Sequence, residues 1–384
     1  MRGWLAIVVA GSSLLLLRCG SDDLADAPSA DAGADTMTEP DTGDAADAGS
    51  TCGRSPTDAV PIVASADKDE DPCLLRAKDG TIYLTWFSAR GGKNDLYVKS
   101  SADGCVWSDE RAITNDDVAD FYPTMIQTTD GTFHLVWWRG DVGDGGIEGI
   151  VGSIWTMHST DTITWSTPFA LTDKSALAWT PTMAERTPGE LYVTWSSNAH
   201  GDKDIYVTSS HDNGNTWDPT PVRITDDTHN DDIPVIVSKN EKLTILYQRY
   251  DTAALTFGAA FGEVSNELVT TTSLDGGAWT PPVLLTNDPP ATKIPDFPSS
   301  DATGWSAAWA SFRTPGSAAS HIYAMGLGLA PATSENTKAL TVAGGYSPRL
   351  LPTATAGIYL MVWVADAGAD GSANPDIFMR FVAP

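Results

Sequence analysis

Positive charge is scarce in this chain. Its 384 residues hold 23 Lys and Arg against 50 Asp and Glu, a formal charge of −27 with a pI near 4.3. A surface of that sign repels phosphate backbones, which excludes nucleic acid as a partner. Cysteine is scarce as well, with four in the chain and no CxxC pair or Cys/His cluster to hold zinc. No Gly-rich phosphate loop, nucleophile elbow or zinc-protease helix motif occurs. The apolar stretch from Trp4 to Leu17 is shorter than the roughly 20 residues needed to span a bilayer. Turn formers are abundant: 34 Gly and 24 Pro accompany 42% hydrophobic residues and 14 Trp. That balance implies a packed core built from many turns, hence β structure rather than helical bundles.

The first fifty residues read as export and tether. Arg2 and the apolar run to Leu17 have the order of an export signal. The end of that segment, Leu16-Leu17-Arg18-Cys19-Gly20-Ser21, resembles a bacterial lipoprotein processing site. The resemblance implies a signal over residues 1–19 and a lipid on Cys19, with Arg18 departing from the small residue the pattern wants. An ordinary secretory signal or an uncleaved anchor is the alternative. Residues 20–52 form an Asp/Ala/Gly-rich linker whose nine acids face no Lys, Arg or aromatic residue. It cannot bury enough surface to offset its ordering entropy and reads as a disordered, self-repelling spacer. The remaining domain, residues 53–384, keeps 21 basic and 41 acidic residues, a balance of −20.

Outside the cytoplasm one disulfide is expected. Cys52 with Cys105 would staple the domain entrance to the first repeat, and Cys73, within an apolar strand, reads as a small buried hydrophobe.

A short signature recurs along the domain. It appears as Ser101-Ala102-Asp103-Gly104-Cys105-Val106-Trp107, as Ser159-Thr160-Asp161-Thr162-Ile163-Thr164-Trp165 and as Ser273-Leu274-Asp275-Gly276-Gly277-Ala278-Trp279. The fullest copy is Ser210-His211-Asp212-Asn213-Gly214-Asn215-Thr216-Trp217. The four Asp positions are spaced by 58, 51 and 63 residues. The carboxylate is suited to fold back on turn amides and the Trp ring to cover a sheet edge, so Asp103, Asp161, Asp212 and Asp275 with Trp107, Trp165, Trp217 and Trp279 are structural. Around each signature lie strands of period-2 alternation such as Tyr83-Leu84-Thr85-Trp86 and Tyr192-Val193-Thr194-Trp195. An apolar-Thr pair follows each one, at Ile113-Thr114, Leu171-Thr172, Ile224-Thr225 and Leu285-Thr286, with a fifth at Leu340-Thr341. The signatures resemble the Asp-box, or BNR repeat, of sialidase-like β-propellers.

Six repeated openings, at Pro72, Pro123, Pro181, Pro234, Pro298 and Pro348, set the expected count. The reading is an all-β, six-bladed β-propeller in which Ala59 to Ala64 supplies the outer strand missing from the last blade. Such closure removes exposed sheet edges. A seven-bladed ring or an open array is the alternative.

In propellers the innermost strands line a central channel, so residues just before each Pro should ring its mouth. Two before each Pro stand Glu70, Phe121, Trp179, Asp232, Asp296 and Tyr346, beside Asp71, Tyr122, Thr180, Ile233, Phe297 and Ser347. Aromatic faces next to carboxylates suit sugar, with Asp71, Phe121, Tyr122 and Trp179 as ligand-binding candidates. The same side chains could instead simply plug a narrow channel. A glycosidase would draw its acid and its base or nucleophile from Glu70, Asp232 and Asp296. The resemblance adds Tyr346, since the sialidase nucleophile is a last-blade tyrosine and Gly345-Tyr346-Ser347 is similar to its segment. It also places the first of three substrate-holding arginines at Glu70, where a carboxylate would repel sialic acid.

Three functions stay open: a module that binds extracellular glycan or an envelope protein, a glycoside hydrolase acting on a non-sialic glycan, and a structural envelope protein. No cofactor is expected, although Asp366, Asp370 and Asp376 could offer oxygens to Ca²⁺. The membrane enters through the lipid alone, and Gly20 after the cysteine implies the outer membrane or cell surface, with a periplasmic or secreted protein as the alternative.

Overall fold

The computed structural model describes residues 59–141, 151–250, 266–285, 293–296, 305–311, 321–327, 338–339, 345–353, 358–365 and 375–382. Cys19, Cys52, the expected signal over residues 1–19 and the expected linker over residues 20–52 lie outside these residues.

The chain is an all-β propeller whose strands form six four-stranded antiparallel sheets. Strand β1 (Val60–Val63) precedes sheet one, made of β2 (Asp69–Arg76), β3 (Ile82–Ser88), β4 (Asp95–Ser101) and β5 (Arg111–Ala112). Sheet two holds β6 (Ala119–Gln127), β7 (Phe133–Asp141), β8 (Val151–Ser159) and β9 (Phe169–Ala170). Sheet three holds β10 (Ala178–Glu185), β11 (Leu191–His200), β12 (Asp202–Ser210) and β13 (Val222–Arg223). Sheet four holds β14 (Asn230–Lys239), β15 (Lys242–Tyr250), β16 (Asn266–Ser273) and β17 (Val283–Leu284). Sheet five holds β18 (Lys293–Asp296), β19 (Trp305–Ser311), β20 (His321–Leu327) and β21 (Lys338–Ala339). Sheet six holds β22 (Gly345–Pro352), β23 (Tyr359–Ala365) and β24 (Asp376–Val382), and its fourth strand is β1. Val60 pairs with Met379 and Val63 with Ile377. Each innermost strand lies against the next, and β22 lies against β2, so the ring closes.

The second strands β3, β7, β11, β15 and β23 are largely buried because a neighbouring sheet covers each side. Trp86, Trp137, Trp195 and Tyr247 recur at one position of that strand and are at most 1% exposed. Ile82, Leu84 and Trp86 of sheet one meet Leu360, Val362 and Val364 of sheet six, while Val136 and Trp138 of sheet two meet Val193 and Trp195 of sheet three. The core is therefore a set of seams between sheets. At the rim, the outer strands β5, β9, β13, β17 and β21 are two residues long, too short to template pairing with another chain. The first three apolar-Thr pairs extend these strands, with the amides of Ile113, Leu171 and Ile224 donated to the carbonyls of Leu96, Ile154 and Ile205. Leu96, Ile154 and Ile205 donate their amides to the Thr114, Thr172 and Thr225 hydroxyls at 2.9, 2.9 and 3.0 Å.

The Asp boxes are turns closed from within. Asp103 Oδ1 accepts the Cys105 and Val106 amides at 2.8 and 3.0 Å, and Asp161 Oδ1 accepts those of Ile163 and Thr164 at 2.8 and 2.7 Å. Asp275 Oδ1 accepts Gly277 and Ala278, and Asp212, in the longer box, accepts the Thr216 amide and hydroxyl. These donors favour the charged form and hold the Asp161, Asp212 and Asp275 carboxylates below the usual range. Trp107 and Trp279 each donate Nε1–H to the carbonyl of the box glycine, at 3.2 Å. That glycine packs on the preceding sheet: Gly104 on Leu360, Gly214 on His134 and Gly276 on Tyr192. The boxes thus join sheets as well as capping them. Cys105, within the first box, is disulfide-bonded, and Cys73 is a free, buried thiol as the sequence implied. The Cys52 half of the expected pairing lies outside the described residues.

At Gly276 a Cβ would sit 2.2 Å from the Tyr192 ring at a φ of +77°, whereas Gly80, at a φ of +90°, has nothing within 4 Å. Gly276→Ala should therefore cost about 2–4 kcal/mol from left-handed backbone plus overpacking, against about 1–2 kcal/mol for Gly80→Ala. Equal losses in denaturant melts of the two variants would show that the box does not join the sheets.

Candidate functional site

Proline has no amide to give a strand ladder, and a bulge is one way to seat it within an innermost strand. The structure builds the same bulge five times among the described residues. Asp71, Tyr122, Thr180, Ile233 and Ser347, each directly before its Pro, take left-handed φ values of 51°, 53°, 47°, 51° and 47°. Pairing with the second strand skips at each point, between Glu70 and Cys73, Phe121 and Thr124, Trp179 and Thr182, Asp232 and Val235, and Tyr346 and Arg349. A left-handed non-glycine residue costs about 1–2 kcal/mol, and such strain gathers where a side chain must be re-aimed. The sixth position, Phe297, lies outside the described residues.

The bulges of sheets one to three gather aromatic rings. Phe87 meets Phe121 edge-on at 4.9 Å, Phe121 lies 5.4 Å from Trp138, and Trp138 stacks on Trp179 at 5.2 Å with 8° between planes. Tyr122 adds a ring 6.1 Å from Phe121. Trp138 is buried beneath the half-buried Phe121, Tyr122 and Trp179. It can lie there because Gly152 offers no side chain; a Cβ would be 2.1 Å from its ring. The Lys68 ammonium stands 5.8 Å over Phe87 and 2.6 Å from Glu70, linking the rings to the carboxylates.

The carboxylates are buried rather than projecting. Glu70 is 2% exposed and Asp232 4%. Asp232 takes the Ser196 hydroxyl at 2.7 Å, the Ile233 amide at 2.9 Å and the Lys203 ammonium, so much of its acceptor capacity is spent within the protein. Asp71 takes the Ser347 hydroxyl at 3.4 Å across the seam between sheets one and six. Burial, and then the charge of Glu70, push its carboxyl up to about 7 against the pull of Arg349, Lys68 and Ser347.

The sequence thus brings Glu70, Asp71, Phe121, Tyr122 and Trp179 to one arc, with Asp232 reached through Thr180 and Ser196, whose hydroxyls lie 3.3 Å apart. Asp296 ends β18 opposite Ala308, and Tyr346 pairs with Val364. Lys68, Phe87, Trp138 and Lys203 belong to the site without having been singled out beforehand. The Trp137-Trp138 pair, with one ring per face of β7, was the available signal. Of the proposed Ca²⁺ oxygens, Asp376 is buried and accepts the Ser65 amide at 3.4 Å, while Asp366 and Asp370 lie outside the described residues. Among the described residues no three His, Cys, Asp or Glu side chains gather as a metal site.

The Asp71 shift has a stability consequence. Between about pH 4 and 7 the folded chain keeps a proton that the unfolded chain has released, so stability is full below that window and falls as pH rises through it. The loss at pH 8.5 is roughly 4 kcal/mol. Asp71→Asn, neutral throughout, should match the parent in melts at pH 4 and exceed its Tm by several degrees at pH 8.5. The same difference at both pH values would refute a buried neutral Asp71.

A family profile described as a BNR repeat-like domain matches residues 57–310. No curated protein matches the chain. Among solved structures, a protein of unknown function from Dyadobacter fermentans is similar at a TM-score of 0.62 and 16% identity, over 84% of this chain and 98% of that one. The Penicillium chrysogenum α-L-arabinanase, complexed with arabinobiose, is similar at 0.60 and 14% identity, over 85% and 97%. The phage phi92 endosialidase is similar at 0.61 and 9% identity, over 85% and 69%. At such identities the likeness is one of fold, the sialidase-like propeller shared with glycoside hydrolases. The profile, by contrast, spans well over half of the sequence, and the chain belongs to the family of BNR repeat-like domains.

Proposed function

We propose that the protein is an exported envelope lipoprotein, anchored through Cys19 and an acidic tether, whose six sheets act as the blades of one ring and hold a neutral extracellular glycan at the channel mouth. The observation that carries this reading is the continuous aromatic arc from Phe87 through Phe121 and Trp138 to Trp179, set beside Glu70 and Asp71. Apolar sugar faces stack on such rings while hydroxyls reach carboxylates. The balance of −20 beyond the tether disfavours polyanionic ligands, and Glu70 at the first-arginine position disfavours sialic acid. A fold relative that carries arabinobiose, a neutral disaccharide, supports the same choice. The reading calls for no cofactor and places the molecule at the outer membrane.

Hydrolysis of a non-sialic glycan is the second reading, favoured by the buried carboxylates at the arc and by a fold shared with an arabinanase. Glu70, Asp232, Asp296 and Tyr346 are its first candidates for chemistry.

Affinity electrophoresis of the purified protein through gels containing arabinan and other neutral polysaccharides tests the binding reading. Trp179→Ala and Tyr122→Ala should each weaken retention about tenfold, the worth of one stacked ring. Retention unchanged in both, with melts confirming folded protein, would remove the arc from the function and leave a structural or protein-binding propeller.

A further inference from the structure

Asp71 differs from the other described carboxylates of the arc. Glu70 faces the Lys68 ammonium at 2.6 Å, and Asp232 is held by Ser196, Lys203 and its own chain. Asp71 is 6% exposed, and its Oδ2 is buried with no hydrogen-bond partner among the described residues. Its place is fixed by the strained bulge before Pro72 and by the Ser347 hydroxyl on Oδ1. The charged groups around it are Glu70 from its own strand, Lys68 just before that strand and Arg349 from β22, which also faces the Cys73 thiol. A bare, sheltered oxygen disfavours the anion and leaves the neutral carboxyl with a proton to give, in keeping with the upward shift to about 7.

We infer that Asp71 is the catalytic proton donor for cleavage of a neutral glycosidic bond at the channel mouth, with Ser347 and Arg349 as positioning residues. The inference rests on the hydrolase reading and reassigns the acid within it, away from Glu70, Asp232 and Asp296. The Asp71 proton passes to the glycosidic oxygen as the bond from the anomeric carbon to that oxygen breaks, and the bonding pair stays on the oxygen. Water then adds its hydroxyl to the anomeric carbon and returns its other proton to the Asp71 carboxylate. One glycosidic bond and one water become two hydroxyls, with no change of oxidation state.

Leaving-group dependence separates an acid from a structural residue. Release of sugar from arabinan needs protonation of a poor leaving group, whereas 2,4-dinitrophenolate departs unaided. With 2,4-dinitrophenyl α-L-arabinofuranoside and arabinan as probes, Asp71→Asn should lower kcat/KM about 10²–10⁴-fold on arabinan and less than tenfold on the aryl glycoside, whose bond breaks without an acid. The parent's kcat/KM on arabinan should fall above about pH 7 and that limb should vanish in Asp71→Asn, while Ser347→Ala moves the limb and Asp71→Glu restores part of the rate. Undiminished arabinan cleavage in Asp71→Asn, or equal loss on both probes, overturns the inference. So does a parent that retains arabinan without cleaving either probe, which leaves the binding reading standing. Neither retention nor cleavage overturns both.

Discussion

Among the described residues five innermost strands carry a proline at a break in a hydrogen-bonded ladder, and much of the molecule is organised around how that conflict is resolved. The proline is placed at a skipped pair and the residue before it turns left-handed, at Asp71, Tyr122, Thr180, Ile233 and Ser347 alike. Ile233 shows how strong the constraint is, because a β-branched side chain is among the least willing to adopt that backbone. The strain is tolerable only because the flanking pairs and the seams on both sides hold the strand. The same device that repairs the ladder also sets the direction of the candidate side chains beside each proline, so architecture and candidate chemistry share one backbone feature.

The boxes solve the opposite problem at the far end of the third strand. There the chain must reverse over a short distance without leaving amides unsatisfied, and one carboxylate oxygen accepts two of them. Because the box backbone packs on the sheet before it, each turn also sets the spacing of a seam. His134 illustrates the pressure at such a contact: buried against Gly214 and near His158, its imidazole is pulled down to about 4 and stays neutral. A ring closed by sheets alone would lack these cross-links between turns.

Much of the fold was legible because its devices are local. The boxes, the prolines and the apolar-Thr pairs are each written within a few residues, and each corresponds to a local backbone feature of the structure, a closed turn, a bulge or a bonded rim. The site was legible only in part, because partnerships across seams leave no local trace. Two positions before Pro234, Asp232 looks equivalent to Glu70, yet Lys203, 29 residues away, takes one of its oxygens. Asp71 looked like a neighbour of the candidate acid, and only its buried Oδ2 singles it out. Trp138 was hidden beside Trp137, one ring serving the core of sheets one and two and the other the aromatic arc.

The pairing of β1 with β24 joins residues more than 300 positions apart, Val60 with Met379. Until Asp376–Val382 has been made and placed, sheet six has no complete outer half and β1 has nothing to pair with. Contacts of such sequence separation are slow to form, and the intervening species expose unpaired edges. A chain made N-terminus first must then keep its earliest strand waiting for its last, so the closing sheet of this propeller forms only once nearly the whole chain is available.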